Sequence, residues 1–428
     1  MMWPRKRLDI GWSDLAFGLV QTLVARRRPA AAEVVGHEWV PADEAIIALS
    51  VRSGWDLLLT ALHLPAGSEI ITSAVTIPDT VRIIEHHGLA PVPVDVDAAT
   101  LEVDAGRLEQ MITPRTRAIL VAHLFGSRMD MGPIVEVARR HGLLVIEDCA
   151  QAFVGRGYAG HAESDCAMFS FGPIKTATAL GGAVLRVRDA ATRRRVIELQ
   201  KSYPVQSRWA YARRIAKHAG FCVLTMPRVY GLAVRMLARL GKDYDKLLAH
   251  AARSFGASDF FTQIRRQPSV PLERMLARRV ATFERGAAYG LRTRTARGSE
   301  LASLLAEGMV VGEWNTTQTS WVLPVRVSNG DAVIRELRAA GFDATRLSSL
   351  TVVGDKAHSP RPSPGGRGSE GMTSQSHWLH DIVYVPGGDD IPESEWQRQI
   401  AILRQVAEPV KSRASSELLA LAGVSDSS

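Results

Sequence analysis

The sequence predicts an α/β protein with a largely parallel sheet, because two patterns alternate through its first half. Short runs rich in β-branched residues are followed by segments in which apolar residues recur at helical spacing, and the connections are short. This alternation is typical of right-handed βαβ units, whose helices cover both faces of a parallel sheet. Ligands of such sheets bind at the carboxyl ends of the strands.

The alternating elements lie between residues 46 and 200. We predict strands in EIITSAV, APVPVDVD, TRAILVAHLFG and LLVIEDCA, and helices in IPDTVRIIEHHG, DAGRLEQMI and MGPIVEVARRHG. The last of these strands ends in Glu147 and Asp148. An acid pair is therefore expected at the edge of the sheet where ligands bind.

The N-terminal segment, residues 1–45, begins with a basic cluster and then carries apolar residues at helical spacing. We predict an amphipathic helix here, capped by Ser13. The segment has neither the long uncharged stretch nor the cleavage site of a signal peptide, and no part of the chain has the uninterrupted apolar length of a membrane span. With three cysteines, too few for a disulfide framework, the chain is expected in the cytoplasm.

Residues 201–262 form a predicted insert that is helical, basic and rich in apolar residues, with a break at Pro227. One interpretation is a helical hairpin packed on the protein or on a second subunit. The alternative is a surface that rests on an anionic membrane, because basic residues flank the apolar stretches. These residues are Arg213, Arg214, Lys217, Arg228, Arg235 and Arg239.

Residues 263–412 are predicted to form a smaller α+β domain. It begins with a long helix, LERMLARRVATFERGAAYGLRTRTARGSELASLL, and continues with strand and helix patterns. Residues 354–376 are rich in Pro, Gly and Ser, which predicts a disordered loop. Residues 413–428 have the composition of a frayed tail.

Composition excludes several classes of protein. A chain of 428 residues, 46% of them hydrophobic, can bury one large core and a smaller one, which excludes disorder throughout. The 52 Lys and Arg residues outnumber the 44 Asp and Glu residues for a net charge of +8, but this excess is dispersed. The sequence also has no zinc-finger or basic-zipper pattern, so we expect no nucleic-acid partner and no bound metal.

Residues 145–185 carry the side chains with the clearest chemistry. Lys175 follows the turn-like stretch FGPI and precedes Gly181 and Gly182, which permit a close approach of the backbone. A lysine amine bonds covalently to an aldehyde, forming a Schiff base, when desolvation or a nearby positive charge lowers its pKa. Pyridoxal 5′-phosphate (PLP) is the common aldehyde cofactor held in this way.

Three neighbours of Lys175 match the other needs of PLP. Asp148 would supply the carboxylate that the ring nitrogen requires, Ser170 a hydroxyl for the phosphate, and Gln151 a contact to the ring oxygen. A lone lysine in a loop is more often a solvated charge, and an acid pair at a strand end is more often a cap. The hypothesis therefore depends on the combination of these residues.

The combination VIEDCAQAF…SFGPIKTATALGGAV resembles the signature of the DegT/DnrJ/StrS family of PLP-dependent sugar aminotransferases. The resemblance is close over most of residues 46–200 and looser over the C-terminal domain. It implies a type I aminotransferase fold with a mostly parallel sheet of the seven-stranded type, and a homodimer with active sites at the subunit interface. It also implies transfer of an amino group, with glutamate as donor, to a keto or aldehyde group of a sugar nucleotide.

Residue roles follow from the same resemblance. Lys175 would form the Schiff base and move the proton between cofactor and substrate carbons, and Asp148 would keep the ring nitrogen protonated. Ser53, Gly54 and Trp55 fall where the family has a Gly-Thr turn at the start of a helix, whose N–H groups hold the phosphate. Because Trp55 replaces a small hydroxyl residue, its contact would be made by the backbone.

Two further positions depart from the family pattern. Ile77 stands where an aromatic side chain commonly stacks on the cofactor ring, so that this contact would be aliphatic. Ile264 stands where an Asn reaches across the dimer to the phosphate. Our hypothesis is that Arg265 or Arg266 replaces this Asn with a stronger anion contact.

Two other functions stay open at this point. The first keeps PLP but changes the substrate to a lipid-linked or other secondary metabolite, with the protein at the inner face of the membrane, because of the basic insert. The second is a PLP-binding or regulatory protein without turnover, because several family positions are altered.

Overall fold

The computed structural model describes residues 1–36, 39–241, 244–245, 259–346, 349–354 and 375–410. Most of the predicted loop at 354–376, all of the predicted tail at 413–428 and part of the insert lie outside these residues. The strands are β1 Ala45–Ala48, β2 Glu69–Ser73, β3 Val75–Thr76, β4 Ala90–Val94, β5 Thr116–Ala122, β6 Leu144–Asp148, β7 Cys166–Ser170, β8 Ala183–Val187, β9 Leu323–Arg326, β10 Thr351–Val352 and β11 Ile382–Val385.

The helices are α1 Trp12–Val24, α2 Ala31–Val35, α3 Val51–Leu62, α4 Pro78–His86, α5 Ala105–Gln110, α6 Gly132–His141, α7 Ala190–Ser202, α8 Arg208–Leu224, α9 Pro227–Arg239, α10 Phe260–Ile264, α11 Val270–Ala281, α12 Ala287–Leu304, α13 Gly330–Ala339 and α14 Glu393–Val406. Two 3₁₀ helices lie at Phe283–Arg285 and Gln375–Asp381.

Seven strands form one sheet in the order β1-β8-β7-β6-β5-β2-β4. The pairs from β7 to β4 are parallel, and only β8 runs antiparallel to its two neighbours. The predicted mostly parallel α/β sheet is therefore confirmed, with strands and helices in the predicted order. Parallel strands require crossover connections, and the helices that alternate with β2 to β6 supply them.

Both faces of the sheet are covered by helices. Adjacent residues of a strand point to opposite faces, and Ile70 and Ile71 of β2 accordingly belong to different cores. Helices α3, α4 and α7 pack on the Ile70 face. Helices α5 and α6 pack on the Ile71 face, where β7 also contacts the α1, α2, α8 and α11 group. With both faces buried, the ligand-accessible part of the sheet is its edge at the strand ends.

The C-terminal part pairs β9 with β11 antiparallel and packs α13 against α14 around the fully buried Trp396. The long helix predicted from Leu272 onward is instead two helices, α11 and α12. The 3₁₀ turn at Phe283–Arg285 separates them, because the ring of Phe283 turns inward and packs 5.0 Å from the ring of Phe153. The predicted domain boundaries stay predictions.

The predicted cap of the N-terminal helix is also wrong. The N-cap is Gly11, and its N–H donates to Asp14 Oδ2 at 3.4 Å, whereas Ser13 lies inside the first turn and is exposed. Asp14 in turn accepts a hydrogen bond from Arg278 Nε of α11 at 2.7 Å. The ion pair between Asp14 and Arg278 thus ties the first turn of α1 to α11.

The predicted break of the insert at Pro227 is present. Helix α9 begins with this proline, and its axis makes an angle of 92° with that of α8. Within the part of the chain that the structure describes, no single helix has the length and apolar character needed to cross a bilayer. Helices α8 and α9, which are separated by the bend, reach this length and apolar character only when they are taken together.

Candidate active site

Lys175 lies in a tight loop between β7 and β8. Its N–H donates to Gly172 O at 3.0 Å, and Thr178 Oγ1 donates to the same carbonyl at 2.6 Å. Gly181 has a φ of 157°, and a Cβ at this position would lie 2.8 Å from the guanidinium of Arg214. Because Gly181 has no side chain, α8 can approach this loop closely. The loop carries Lys175 near the carboxyl end of β7.

Asp148 ends β6, the strand next to β7 in the sheet. Its Oδ1 accepts a hydrogen bond from Ala150 N at 2.9 Å. Among the described residues, no hydrogen bond or ion pair reaches its second oxygen. This half-buried carboxylate is thus open to a donor from a ligand.

The two groups influence each other electrostatically. Burial lowers the pKa of Lys175 from 10.5 to about 8; the charge of Asp148 opposes this shift, and that of Arg52 adds to it. Burial raises the pKa of Asp148, while the Ala150 N–H and the Lys175 charge act in the other direction. The lowered pKa leaves a larger fraction of the Lys175 amine uncharged near neutral pH than in an ordinary lysine, which favours its attack on a carbonyl.

Ser170 and Gln151 lie at the same strand ends. Ser170 ends β7, and its Oγ accepts a weak hydrogen bond from Gly172 N at 3.4 Å. Gln151 follows Asp148, and its Oε1 accepts from Phe125 N at 2.7 Å. That bond leaves the amide NH₂ group of Gln151 as the donor for a ligand oxygen. The structure therefore brings together Lys175, Asp148, Gln151 and Ser170.

Ser53, Gly54 and Trp55 lie in the first turns of α3, and the phosphate contact predicted for them stays a prediction. Helix α3 begins at Val51 with Ser50 as its N-cap, and Ser50 Oγ accepts from Ser53 N at 3.1 Å while Ser50 O accepts from Gly54 N at 3.0 Å. These N–H groups are therefore already bonded. Trp55 is buried in the core beneath the sheet, so its side chain lies away from the site. Only the N–H groups before Ser53 remain for an anion at this end of α3.

Gly54 lets α3 pack closely on the sheet. A Cβ at this position would lie 2.6 Å from a methyl carbon of Leu185 in β8. We expect Gly54→Ala to destabilise the protein by about 1–3 kcal/mol in urea unfolding, because the helix or Leu185 must shift. A matched control is Gly220→Ala in α8, where no atom lies within 4 Å, and which is expected to be neutral or stabilising by up to about 1 kcal/mol. Equal stabilities of the two variants would contradict the packing role.

Arg265 is unavailable to replace the missing Asn. Its Nε and one terminal nitrogen each donate to the carboxylate of Asp56 at 2.9 Å, and Asp56 also contacts His87 Nε2 at 3.1 Å. Ile264 is fully buried beside this cluster. The hypothesis of an anion contact is thus wrong for Arg265, because its charge is already paired with a buried carboxylate. For Arg266 it stays a hypothesis.

Glu147 faces away from Asp148, into a buried polar network. Its carboxylate accepts from His123 Nε2 at 2.9 Å, from His161 N at 2.7 Å and from the hydroxyl of Tyr158. Met129 N donates to His123 Nδ1, so the ring proton of His123 is on Nε2. Burial alone would raise the pKa of Glu147, but its hydrogen bonds and the His123 contact outweigh burial and hold this pKa at about 2.

The network predicts a pH-dependent contribution to stability. The pKa of Glu147 falls from 4.5 to about 2 on folding, so its contribution is complete above pH 4.5 and is lost as the pH falls toward 2. We expect Glu147→Gln to lower the free energy of unfolding by about 3 kcal/mol near pH 7 and by progressively less in acid. The amide NH₂ of the glutamine would also face groups that themselves donate hydrogen bonds, such as His161 N, so one of these bonds would be lost. Urea unfolding at both pH values measures this difference.

A control for this variant is Glu136→Gln. Glu136 is exposed on α6, and its one ion pair among the described residues is with Arg140, four residues away, so we expect a change below about 0.5 kcal/mol at either pH. If Glu147→Gln unfolds like Glu136→Gln, the network does not stabilise the sheet edge in the way described.

Three residues near Lys175 were missed in the sequence. Trp321, just before β9, places its ring centroid 4.5 Å from Lys175 Nζ. Lys6 Nζ lies 3.9 Å from the same ring and donates to Trp321 O at 2.8 Å. Arg52, at the start of α3, donates to Asp79 Oδ2 at 2.5 Å. No sequence pattern marks these residues, because they come from three distant parts of the chain.

Comparisons with known proteins agree with this arrangement. Residues 33–222 match the family model described as the DegT/DnrJ/EryC1/StrS aminotransferase family. A protein of Caulobacter vibrioides named GDP-perosamine synthase is 36% identical over 214 residues, which are 44% of this chain and 56% of that protein. The erythromycin biosynthesis sensory transduction protein EryC1 of Saccharopolyspora erythraea is 39% identical over 171 residues, 38% of this chain and 46% of that protein.

A solved structure extends the likeness to nearly the whole fold. The aminotransferase TlmJ from Streptoalloteichus hindustanus superposes with a TM-score of 0.67 at 20% identity, over 94% of this chain and 97% of that chain. In sequence, the matched segment spans only about half the length of the two curated relatives. It includes the strand ends that carry Asp148, Gln151, Ser170 and Lys175. Residues 33–222 of this chain are therefore similar in sequence to the DegT/DnrJ/EryC1/StrS aminotransferase family.

Proposed function

We propose that this protein is a PLP-dependent aminotransferase that transfers an amino group, with glutamate as donor, to a keto or aldehyde group of a sugar nucleotide. The observation that carries the proposal is that Asp148, at the end of β6, acts electrostatically on Lys175, in the loop that follows the adjacent strand β7. The amine has a pKa of about 8, and the carboxylate has an oxygen without a partner among the described residues. The family match supports the reaction, and the relative named GDP-perosamine synthase supports a nucleotide-linked sugar as acceptor.

The residues present fit PLP. Asp148 would hold the ring nitrogen with its open oxygen, and the amide NH₂ of Gln151 would donate to the ring hydroxyl. Ser170 Oγ and the first N–H groups of α3 would hold the phosphate, with the Arg52 charge nearby. When bound, PLP supplies an aldehyde that attaches amines covalently and a ring that withdraws electrons from the attached carbon.

The chain's own groups then divide the work. The uncharged fraction of Lys175 provides the attacking amine, and the same Nζ, once free, takes the proton from the substrate carbon and returns it to another carbon. Asp148 holds a proton on the ring nitrogen, because a half-buried carboxylate favours a positive partner. Trp321 covers Lys175 and limits the access of water to this amine.

The experiment incubates the purified protein with PLP, reduces it with borohydride and maps the modified peptide by mass spectrometry. We expect a pyridoxyl group on Lys175. Turnover is then measured as 2-oxoglutarate formed from glutamate in the presence of a panel of keto-sugar nucleotides. A pyridoxyl group elsewhere, or none, contradicts the cofactor site. Labelling of Lys175 without turnover, with glutamate or with other amino acids tried in its place, would favour the non-catalytic PLP-binding protein.

The homodimer with active sites at the subunit interface is part of this proposal and is supported by the family resemblance. Light scattering after size-exclusion chromatography would give a mass twice that of the 46.6 kDa chain. The cytoplasmic location stays a prediction. The second candidate, an aminotransferase that acts on a lipid-linked or other secondary metabolite, is favoured by the basic and apolar surface of the insert.

A further inference from the structure

One face of α9 is apolar and exposed. Val229, Leu232, Met236 and the capping residue Leu240 are between 39% and 66% exposed. Their spacing of three and four residues places them on a single stripe along the helix. The helix is held by its other side, where Tyr230 is buried and donates to Asp343 Oδ2 at 2.6 Å. The stripe is therefore fixed in an outward orientation.

An arginine stripe runs beside the apolar stripe. Arg228, Arg235 and Arg239 are exposed, and their separations of seven and four residues place them on one side of the helix. Over the part of the chain that the structure describes, none of them has an ion pair or hydrogen bond. We call the seven residues of the two stripes the α9 face: Arg228, Val229, Leu232, Arg235, Met236, Arg239 and Leu240.

The stretch of sequence that forms α8 and α9 is strongly basic. From residue 204 to residue 241 the chain has seven Lys or Arg residues and no Asp or Glu. Helix α8, which is connected to α9 by the 92° bend, is part of this stretch. A ligand of the α9 face is thus expected to be anionic as well as apolar.

A second exposed apolar face lies at the other end of α8. Helix α1 exposes Trp12, Leu19, Val20, Leu23 and Val24. Arg208, at the start of α8, donates to Thr22 O at 3.1 Å and to Ala25 O at 2.9 Å, which joins the two helices. Trp209 is exposed beside this junction. Both ends of α8 therefore carry exposed apolar side chains, and three arginines, residues 26–28, follow α1.

We propose that the α9 face binds the surface of an anionic phospholipid bilayer. Parallel apolar and arginine stripes on one helix are the pattern of interfacial helices, whose apolar side chains enter the acyl boundary while the guanidinium groups contact the phosphates. A second copy of this chain is a poorer partner for the face, because two such surfaces would bring uncompensated arginines together. The inference goes beyond the aminotransferase function and does not depend on it.

The experiment is co-sedimentation of the full chain with vesicles of phosphatidylcholine, with and without about 30% phosphatidylglycerol. We expect binding to the anionic vesicles only, and weaker binding at high salt. Arg235→Ala with Arg239→Ala should weaken binding about 10-fold or more, because each basic residue at the surface contributes about 1 kcal/mol. Leu232→Ser with Met236→Ser should weaken it by a similar factor through the lost apolar contact.

Matched controls change exposed residues outside the insert. Arg292→Ala in α12 and Trp314→Ser before β9 remove the same kinds of side chain and should bind as the unchanged protein does. Thermal unfolding verifies that all variants are folded. A second measurement uses an environment-sensitive dye on Leu240→Cys in a Cys222→Ser background. Its emission should shift to the blue with anionic vesicles, whereas the same dye on Trp314→Cys should not respond.

Three outcomes would overturn the proposal. They are equal binding to neutral and anionic vesicles, binding that both α9 variants leave unchanged, and no binding at all. A fourth is a change of molecular mass from dimer to monomer in Leu232→Ser with Met236→Ser, which would assign the face to an interface between copies. None of these results bears on labelling of Lys175, so the aminotransferase proposal is tested separately.

Discussion

Lys175→Ala is expected to abolish pyridoxyl labelling at this position and to reduce amino transfer from glutamate about 1,000-fold or more. The variant loses both the amine that attacks the aldehyde and the group that moves the proton between carbons. Initial rates of 2-oxoglutarate formation measure the loss. Added methylamine should restore part of the activity of Lys175→Ala, because a small free amine can occupy the vacated space and accept the proton.

The control for this variant is Lys6→Ala. Lys6 Nζ and Lys175 Nζ lie 3.9 Å and 4.5 Å from the centroid of the same Trp321 ring, and burial lowers the pKa of both amines. Only Lys175 has Asp148 as the carboxylate acting on it. We therefore expect Lys6→Ala to keep the label on Lys175. If Lys6→Ala lost the pyridoxyl label and Lys175→Ala kept it, Lys6 rather than Lys175 would be the residue that bonds to the cofactor.

Asp148→Asn is expected to keep the label on Lys175 but to reduce turnover about 100-fold or more. An amide holds no proton on the ring nitrogen, so the electron-withdrawing power of the ring is lost. The change also acts on Lys175 without any cofactor. The negative charge of Asp148 favours the ammonium form, so its removal should lower the pKa of Lys175 below about 8.

This second effect is measured without turnover. Trinitrobenzene sulfonate reacts with the uncharged amine, and the pH at which half of Lys175 is labelled reports its pKa. The half-labelling pH should be lower in Asp148→Asn than in the unchanged protein. Asp130→Asn, an exposed carboxylate whose Oδ1 accepts from Gly132 N, should leave it unchanged. A higher half-labelling pH in Asp148→Asn would be inconsistent with the electrostatic coupling.

The parts of the site that could be predicted are those formed by residues close together in the sequence. The parts that depend on contacts between distant segments could not be predicted. Asp148 and Ser170 end two adjacent strands, and Gln151 and Lys175 follow within a few residues, so their neighbourhood can be located from the apolar patterns of these strands. The roles of Ser53, Gly54 and Trp55 were not predictable in the same way. They depend on where α3 begins, and Ser50 Oγ decides this by accepting from Ser53 N.

Helix boundaries show the same limit. Apolar residues keep a helical spacing from α11 into α12, and no proline lies between the two helices. This pattern predicts one continuous helix. In the structure a 3₁₀ turn separates them, and within this turn Phe283 packs against Phe153. Likewise, Arg265 looks free in the sequence, and only the fold reveals the buried carboxylate of Asp56 beside it.

The sequence by itself determined the α/β class and the alternation of strands and helices from β2 to β6, because these features depend on periodicity. It also placed Asp148, Gln151, Ser170 and Lys175 in one stretch of chain. Tertiary structure alone decided that Trp321 and Lys6 lie beside Lys175. It also decided that the arginines of α9 stay exposed without a partner among the described residues. Contacts between segments hundreds of residues apart leave no periodic trace, since they are selected by packing and charge in the folded chain.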